Sequence, residues 1–286
     1  MPVLYVVATP IGNLEDISQR ALRTLVKVKL IAAEDTRRTG RLLTTYDIKT
    51  PMTSYHEHNK HTKLDYLLSH LENGDVALVS EAGTPGMSDP GYELIAATHQ
   101  RGIPVVPIPG PSAVITSLVV SGLPSNRFLY IGFLPRRPRA RRCLLESIAP
   151  EPGTIVALES PHRLTSALHD IRLILGDRQI AICRELTKLY EEVFRGTISQ
   201  AIDYFTEPRG EFTLVIKGRR EKKPELTEEV EQQLRHRYLA GSTAREAIAG
   251  VSGKTGLSRK ELYRTWLRLT KIRVTGKNSY QSVERS

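Results

Sequence analysis

Residues 76–91 read VALVSEAGTPGMSDPG, an apolar run of strand length that passes directly into a loop rich in glycine and proline. The same arrangement occurs twice more, as VLYVVATPIGNL at residues 3–14 and as IPVVPIPGPS at residues 103–112. Loops of this composition expose backbone N–H and C=O groups and carry little side-chain bulk, so a small ligand can approach the main chain closely. We therefore expect these loops to bind a ligand.

Through residue 135, apolar segments of strand length alternate with amphipathic segments of helix length, which is typical of β-α units around a largely parallel sheet. All three loops then lie at the carboxyl ends of strands, where open α/β sheets bind their ligands. The predicted strands of this region are 3–8, 30–33, 76–79 and 104–108, and the predicted helices are one capped by Ser18 and those at 60–71, 91–100 and 113–121.

A second α/β region begins near residue 123, where the strands are richer in β-branched residues and follow one another closely, which favours a mixed sheet with antiparallel pairs. Its predicted strands are 154–158, 179–184, 192–196 and 212–217, and its predicted helices are 138–149, 162–175 and 197–205. The polar segment 218–224 ends in proline and is typical of a linker, and helices are predicted after it at 227–239, 243–250 and 258–270. The sequence thus predicts two α/β domains, 1–120 and 121–218, followed by a basic helical module at 225–286.

The net charge of +10 is concentrated in two places. Residues 219–286 contain 16 Lys and Arg against 8 Asp and Glu, a net charge of +8, and the arginine-rich segment 136–142 adds +5. The rest of the chain has 20 basic and 23 acidic residues, a net charge of −3. Clustered cations on a nearly neutral body favour a nucleic-acid partner, and a solvated helix face with a flexible arginine loop is the alternative.

The sequence contains no apolar run near the roughly 20 residues that a membrane span requires, and its start lacks the features of a signal peptide. We therefore expect a cytoplasmic protein without a membrane partner. Cys143 and Cys183 stand too far apart for a C-x-x-C metal motif, and we expect both thiols to be buried.

The loops lack the two common phosphate-binding patterns, Gly-x-x-x-x-Gly-Lys-Ser/Thr and Gly-x-Gly-x-x-Gly. P-loop enzymes, kinases and ordinary dinucleotide enzymes are therefore disfavoured. The loops carry the acids Glu81 and Asp89 and almost no basic residue, so a neutral or cationic ligand fits better than a multiply anionic one.

Four motifs taken together closely resemble the tetrapyrrole-methylase-like S-adenosylmethionine enzymes. They are ATPIGNL at 8–14, AEDTR at 33–37, SEAGTPGMSDPG at 80–91 and PGPSA at 109–113. The resemblance extends over the whole chain, including ESPHR at 159–163 and RELTK at 184–188. Within the family it is to the branch that methylates the ribose 2′-hydroxyl of a cytidine in 16S ribosomal RNA. It implies two α/β domains that hold S-adenosylmethionine in the cleft between them, a homodimer, and the small ribosomal subunit or its RNA as substrate.

The resemblance also implies a set of donor-binding residues. From the first domain they are Pro10, Gly12, Glu81, Ala82, Gly83, Asp89, Pro109, Gly110 and Ser112, and from the second Phe133, Leu186, Phe212 and Thr213. The first loop departs from the Gly-x-Gly-Pro-Gly pattern that is usual in the enzymes of the family that methylate tetrapyrroles. This difference argues against a tetrapyrrole substrate, but not against S-adenosylmethionine as the methyl donor.

Methyl transfer to a ribose hydroxyl depends on alignment, and a general base would help because the hydroxyl is a weak nucleophile at neutral pH. The candidate catalytic residues are Glu34, Asp35, His56 and Lys188. Asp35 can instead cap the helix that follows it. The candidate RNA-binding residues are Arg37, Arg38, Asn59, Arg136, Arg137, Arg139, Lys260, Arg264 and Arg268.

Several alternatives stay open at this point. His56, His58 and His61 beside Glu57 could bind a metal ion, and alternation would put His56 and His58 on one strand face. No further ligand follows in a recognisable spacing, so we expect no metal. Ser160 reads as a helix cap rather than a nucleophile, and Trp266 as part of a helical core rather than an RNA contact. A small-molecule methylase and a non-enzymatic RNA-binding protein are the competing functions.

Overall fold

The computed structural model describes residues 1–219 and 225–277, with side chains described up to residue 269. The chain divides into two compact units after residue 219. The first unit contains two β-sheets with their helices, and the described part of the second consists of helices. Within the described residues, no helix is both long and apolar enough to cross a membrane.

The first sheet has five parallel strands in the order β3-β2-β4-β1-β5. They are β1 Leu4–Val7, β2 Leu30–Ala33, β3 Met52–Ser54, β4 Val76–Val79 and β5 Val105–Ile108. β2 and β4 are buried along their whole length, as expected of inner strands covered on both faces. The parallel sheet confirms the prediction, but β3 was not predicted because three residues at a sheet edge leave no periodic signal.

Helices cover both faces of this sheet. They are α1 Gln19–Lys27, α2 Thr36–Thr45, α3 Lys60–Asn73, α4 Tyr92–Gln100 and α5 Ala113–Ser121. Leu25 of α1 and Leu42 of α2 pack with Ile31 on one face, and Leu67 of α3 and Leu94 of α4 share the cluster on the other. Successive residues of β2 enter opposite clusters, because strand side chains alternate between the two faces.

The second sheet is mixed, in the order β6-β7-β10-β8-β9, with β6 and β7 parallel and the other pairs antiparallel. The strands are β6 Phe128–Phe133, β7 Thr154–Glu159, β8 Gln179–Arg184, β9 Glu192–Thr197 and β10 Phe212–Ile216. Three helices pack on one face, namely α6 Pro138–Ile148, α7 Pro161–Leu175 and α8 Ile198–Tyr204. The antiparallel pairs confirm the prediction of a mixed sheet.

Helix α5 joins the two sheets. It follows β5 in the chain, but its buried residues Val114 and Leu118 pack with Val156 of β7 and Val215 of β10. The last helix of the first α/β region therefore covers the free face of the second sheet. The proposed division of this unit near residue 120 remains a prediction.

The second unit contains α9 Glu228–Leu239, α10 Ala244–Thr255 and α11 Arg259–Lys277. Leu234, Val251, Leu262 and Trp266 belong to its core, which favours the structural interpretation of the tryptophan. Helix α10 runs past the predicted end at 250, because the residue that ends it is Gly256 in the left-handed conformation, with φ of 72°. Residues 220–224 of the predicted linker lie outside the described residues, as do residues 278–286 of the predicted module.

Two expectations about individual side chains were wrong. His56 and His58 do not share a strand face, because β3 ends at Ser54 and the chain then turns. Cys183 is buried, but Cys143 is exposed because it lies on the outer side of α6.

Candidate active site

The three glycine-proline loops meet at one edge of the first sheet because β1 lies between β4 and β5. Thr9 and Gly83 form a two-way backbone bridge, with N–H to C=O distances of 2.8 and 3.0 Å. Gly83 has φ of 83°, in the region that favours glycine. A Cβ at Gly110 would lie 3.0 Å from the Cβ of Ala8, so the third loop also packs tightly against the first. The sequence thus brings three backbone segments together beside a cleft.

A cavity of about 500 Å³, here called the first cavity, lies between these loops and the second sheet. Its volume is within the usual 300–1,000 Å³ range of small-molecule sites. Many of the predicted donor-binding residues line it, namely Glu81, Ala82, Gly83, Asp89, Ser112, Phe133, Leu186, Phe212 and Thr213. Both α/β regions contribute to this cavity, as the resemblance implied.

The other predicted donor-binding residues lie elsewhere. Pro10 and Gly12 line an adjoining cavity of about 400 Å³, here called the second cavity. Pro109 and Gly110 line neither cavity. Gly12 permits a close approach between loops, because a Cβ there would overlap the side chain of Lys188.

Five acidic side chains give the first cavity an acidic wall, Glu34, Glu81, Asp89, Glu159 and Glu211, and the first three repel one another. Burial and, to a smaller extent, the carboxylates of Glu34 and Glu81 raise the pKa of Asp89, a hydrogen bond with Ser80 opposes the rise, and the resulting pKa is about 7. Burial also raises the pKa of Glu34, although its Oε2 accepts the N–H of Glu81 at 3.0 Å. A cationic ligand would relieve the repulsion among these groups and favour their ionised forms.

Glu159, one of the acidic side chains of the first cavity, lies at the end of β7. Its side chain is fully buried and forms an ion pair with Arg163 at 2.5 Å, and its Oε1 accepts the N–H of Ser160 at 2.7 Å. Among the described residues, its Oε2 has no hydrogen-bond partner. A buried carboxylate oxygen without a partner is costly, so a ligand that offers N–H or O–H groups would satisfy it.

The four candidate catalytic residues differ in their availability. Glu34 lines the first cavity. Asp35 caps α2, where the N–H groups of Arg38 and Arg37 lower its pKa. Burial disfavours the charge of Lys188, but hydrogen bonds to two carboxylates outweigh this effect and raise its pKa. His56 lines neither cavity, and among the described residues its buried Nδ1 has no hydrogen-bond partner.

The candidate RNA-binding residues of the first unit differ in their partners. Arg37 is exposed at the start of α2, and Arg38 next to it pairs with Glu81. Asn59 supports its own turn, since its Oδ1 accepts the N–H of His56 at 2.8 Å and its Nδ2 donates to Ser54. The segment expected to be an arginine loop leads into α6, with Arg136, Arg137 and Arg139 exposed.

On α11 of the second unit, Lys260 and Arg264 are exposed one turn apart. Arg268 lies a further turn along and pairs with Glu231 of α9. This ion pair leaves Lys260 and Arg264 as the stronger candidates on that helix.

Sequence reasoning missed several residues of the first cavity. Ser88 and Tyr130 have hydroxyl oxygens 2.6 Å apart across the cavity wall, and Ser88 has φ of 71° although it is not glycine. Their pairing joins a loop of the first sheet to a strand of the second, which no local pattern could reveal. Glu159 belonged to a motif already singled out, but its burial was not foreseen.

The residues of the first cavity fit the sulfonium donor that the resemblance implied. The acidic wall suits a positive charge, the glycine backbone permits close approach, and the unpartnered oxygen of Glu159 suits the hydrogen-bond donors of a nucleoside. Within the described residues, no group of three or more His, Cys, Asp or Glu side chains could hold a metal ion.

Comparison with known proteins identifies the family of the chain. Residues 3–202 match the family model of the Tetrapyrrole (Corrin/Porphyrin) Methylases. A Synechocystis protein named ribosomal RNA small subunit methyltransferase I is 49% identical over 275 residues, which cover 94% of this chain and 99% of the relative. A Thermotoga maritima protein of the same name is 50% identical over 222 residues, covering 77% of this chain and all of the relative.

The fold also matches a solved structure, uroporphyrin-III C-methyltransferase from Thermus thermophilus complexed with S-adenosylhomocysteine. The TM-score is 0.54 at 18% identity, over 76% of this chain and 97% of that one. The extent of the family match and the identity to full-length relatives lead to one conclusion: the chain belongs to the tetrapyrrole methylase family and is an S-adenosylmethionine-dependent methyltransferase.

Proposed function

We propose that this chain transfers the methyl group of S-adenosylmethionine to the ribose 2′-hydroxyl of a cytidine in 16S ribosomal RNA, on the small ribosomal subunit. The observation that carries the proposal is the first cavity, where glycine backbone and five acidic side chains converge on one site. Relatives that align over nearly their whole length are named ribosomal RNA small subunit methyltransferases, which supports RNA as the substrate.

The bound donor supplies an electrophilic methyl group: the C–S bond breaks, sulfur keeps the electron pair, and a C–O bond forms to the ribose. The task of the protein is to align the hydroxyl with that methyl group. Glu81 and Ala82 line both cavities, so the boundary between the cavities is where a hydroxyl from one side would meet a methyl group from the other. The acidic wall favours the charged donor over its neutral product, which would assist product release.

The 2′-hydroxyl proton must leave during the transfer, and we assign its acceptance to Glu34. This carboxylate lines the first cavity, and burial raises its pKa toward the range in which a carboxylate is an effective general base. Asp35 is held as a helix cap and Lys188 is held protonated by its carboxylate partners, so both are weaker candidates.

RNA recognition need not depend on the second unit alone. The Thermotoga maritima relative carries the same name, yet its entire length matches 222 residues of this chain. About a quarter of this chain therefore has no counterpart in that relative. We infer that residues of the first unit contribute to RNA binding and that the exposed cations of α11 add affinity.

We also propose that the protein is a cytoplasmic homodimer. Ile115 and Val119 are exposed one turn apart on α5, and Leu189 and Tyr190 are exposed between β8 and β9. Neighbouring exposed apolar side chains, as in each of these two pairs, favour a protein interface where they form a contiguous patch. Light scattering that gives the mass of a single chain at micromolar concentration would contradict the dimer.

The test of the function uses small ribosomal subunits from cells that lack this protein. The purified protein and S-adenosylmethionine with a labelled methyl group should label the 16S RNA, and mapping should place the label on a cytidine ribose. Absence of label from both assembled subunits and naked RNA would refute the proposal. Label on a tetrapyrrole instead would favour the small-molecule activity.

A further inference from the structure

The second cavity adjoins the first and shares part of its wall. Ile11, Glu81 and Ala82 line both, so a ligand in one would lie next to a ligand in the other. The volume of the second cavity, about 400 Å³, is that of a site for one small molecular group rather than for a duplex.

Three cationic side chains line the second cavity, Arg38 and Arg41 from α2 and Lys188 from the turn after β8. Arg38 pairs with Glu81, and Lys188 pairs with two carboxylates at 2.9 and 3.1 Å. Among the described residues, Arg41 has no carboxylate within ion-pair distance. Arg41 is therefore available to an anion from outside the protein.

The turn that carries Lys188 is strained. Glu185 and Thr187 have φ of 51° and 66°, which is unfavourable for residues other than glycine. The Oγ1 of Thr187 accepts the N–H of Asn13 at 3.1 Å, so the turn is held against the first loop. Strain retained beside a cavity is consistent with a functional requirement for the position of the turn.

The two cavities thus differ in charge: the charged side chains that line the first are all acidic, whereas the second has three basic side chains against the two carboxylates that it shares with the first, Glu81 and Glu211. The carboxylates of the first suit a sulfonium cation, and the guanidinium group of Arg41 in the second suits a phosphate. The difference in charge also disfavours binding of the phosphate in the first cavity, where it would meet five acidic side chains.

We propose that the second cavity is the acceptor pocket, which takes the ribose and adjoining phosphate of one unpaired nucleotide, with Arg41 as the phosphate contact. This inference rests on the proposed function. An unpaired nucleotide suits the recess because unstacked residues of RNA can enter a protein pocket that a continuous helix cannot. Its 2′-hydroxyl would then face the shared wall, beyond which the donor methyl group lies.

The test compares Arg41→Ala with Arg23→Ala, a matched control whose exposed side chain on α1 lines neither cavity. Labelled methyl transfer to small ribosomal subunits gives kcat/KM, and calorimetry gives the affinity for S-adenosylhomocysteine. Loss of one charged phosphate contact should lower kcat/KM by about 10- to 100-fold. Arg41→Lys should recover part of the loss, Arg23→Ala should match the wild type, and all should bind S-adenosylhomocysteine equally.

Two results would overturn this inference but not the proposed function. In the first, Arg41→Ala transfers methyl groups as fast as Arg23→Ala. In the second, Arg41→Ala loses affinity for S-adenosylhomocysteine in proportion to its loss of activity. The second result would assign Arg41 to the donor site. No transfer by the wild-type protein would instead refute the proposed function, and this inference with it, so the two failures are distinguishable.

Discussion

Because the carboxyl group of Asp89 titrates in the neutral range, we expect the affinity for the methyl donor to depend on pH there. Its pKa is raised to about 7 by burial and by the neighbouring carboxylates. If only the ionised form of Asp89 binds the sulfonium, the apparent affinity is lower than that of the fully ionised protein by a factor of 1 + 10^(pKa − pH). That factor is roughly 1.1 at pH 8 and roughly 11 at pH 6, so we expect binding about tenfold weaker at pH 6, or about 1.4 kcal/mol.

Calorimetric titration of S-adenosylmethionine at several pH values measures this dependence. Asp89→Asn should bind the donor with the weak affinity of the wild type at pH 6 and should lose most of the pH dependence. S-adenosylhomocysteine, whose sulfur is uncharged, should show a much smaller dependence with the wild-type protein. Equal affinity at pH 6 and pH 8, or the same slope in Asp89→Asn, would refute the reasoning.

The same raised pKa affects the stability of the ligand-free protein. A carboxyl group whose folded-state pKa exceeds its unfolded value of about 3.8 contributes stability that is present below that value and is lost as pH rises through about 7. Asp89→Asn should therefore have an unchanged or higher melting temperature than the wild type at pH 8, while binding the donor less well. A variant that gains stability and loses affinity is typical of a binding site.

Other substitutions test the site, the core and the second unit. Gly83→Val should lower the free energy of unfolding by about 1–2 kcal/mol in chemical denaturation, because φ at this position is 83°, and it should abolish donor binding. The control Gly102→Val, at φ of 67° with no atom near the added side chain, should retain donor binding. Asp170→Ala leaves a buried guanidinium without its ion-pair partner and should cost about 3–5 kcal/mol by thermal denaturation. Replacing both Lys260 and Arg264 by alanine should lower the salt slope of RNA binding by about 1.4, measured by filter binding, and unchanged slopes would exclude α11 from the RNA contact.

The fold was largely predictable because its inner strands are continuous apolar runs. The segment 76–79 is buried on both faces and is followed by a loop rich in glycine and proline, so its ends were predicted correctly. Strand β3 was missed because it has three residues at an edge. The end of α10 was misplaced because a glycine within a helix and a glycine that ends one look alike until the left-handed φ of Gly256 is known.

The site was predictable only in part. The loops were identified because glycine and proline mark them locally, but the distribution of their residues between two cavities depends on how the loops meet. Pro10 and Gly12 face the second cavity because the first loop packs against the turn at Lys188, which is distant in sequence. The pairing of Arg38 with Glu81 and the burial of Glu159 likewise arise from tertiary contacts.

The position of α5 limits how the donor can enter. A hinge motion that separated the two sheets would pull Val114 and Leu118 of α5 away from Val156 and Val215 and expose their apolar surface to water. We therefore expect the sheets to remain together throughout each turnover. Release of the product and entry of a new donor would then require only a few loop residues to move, while the two sheets keep their positions.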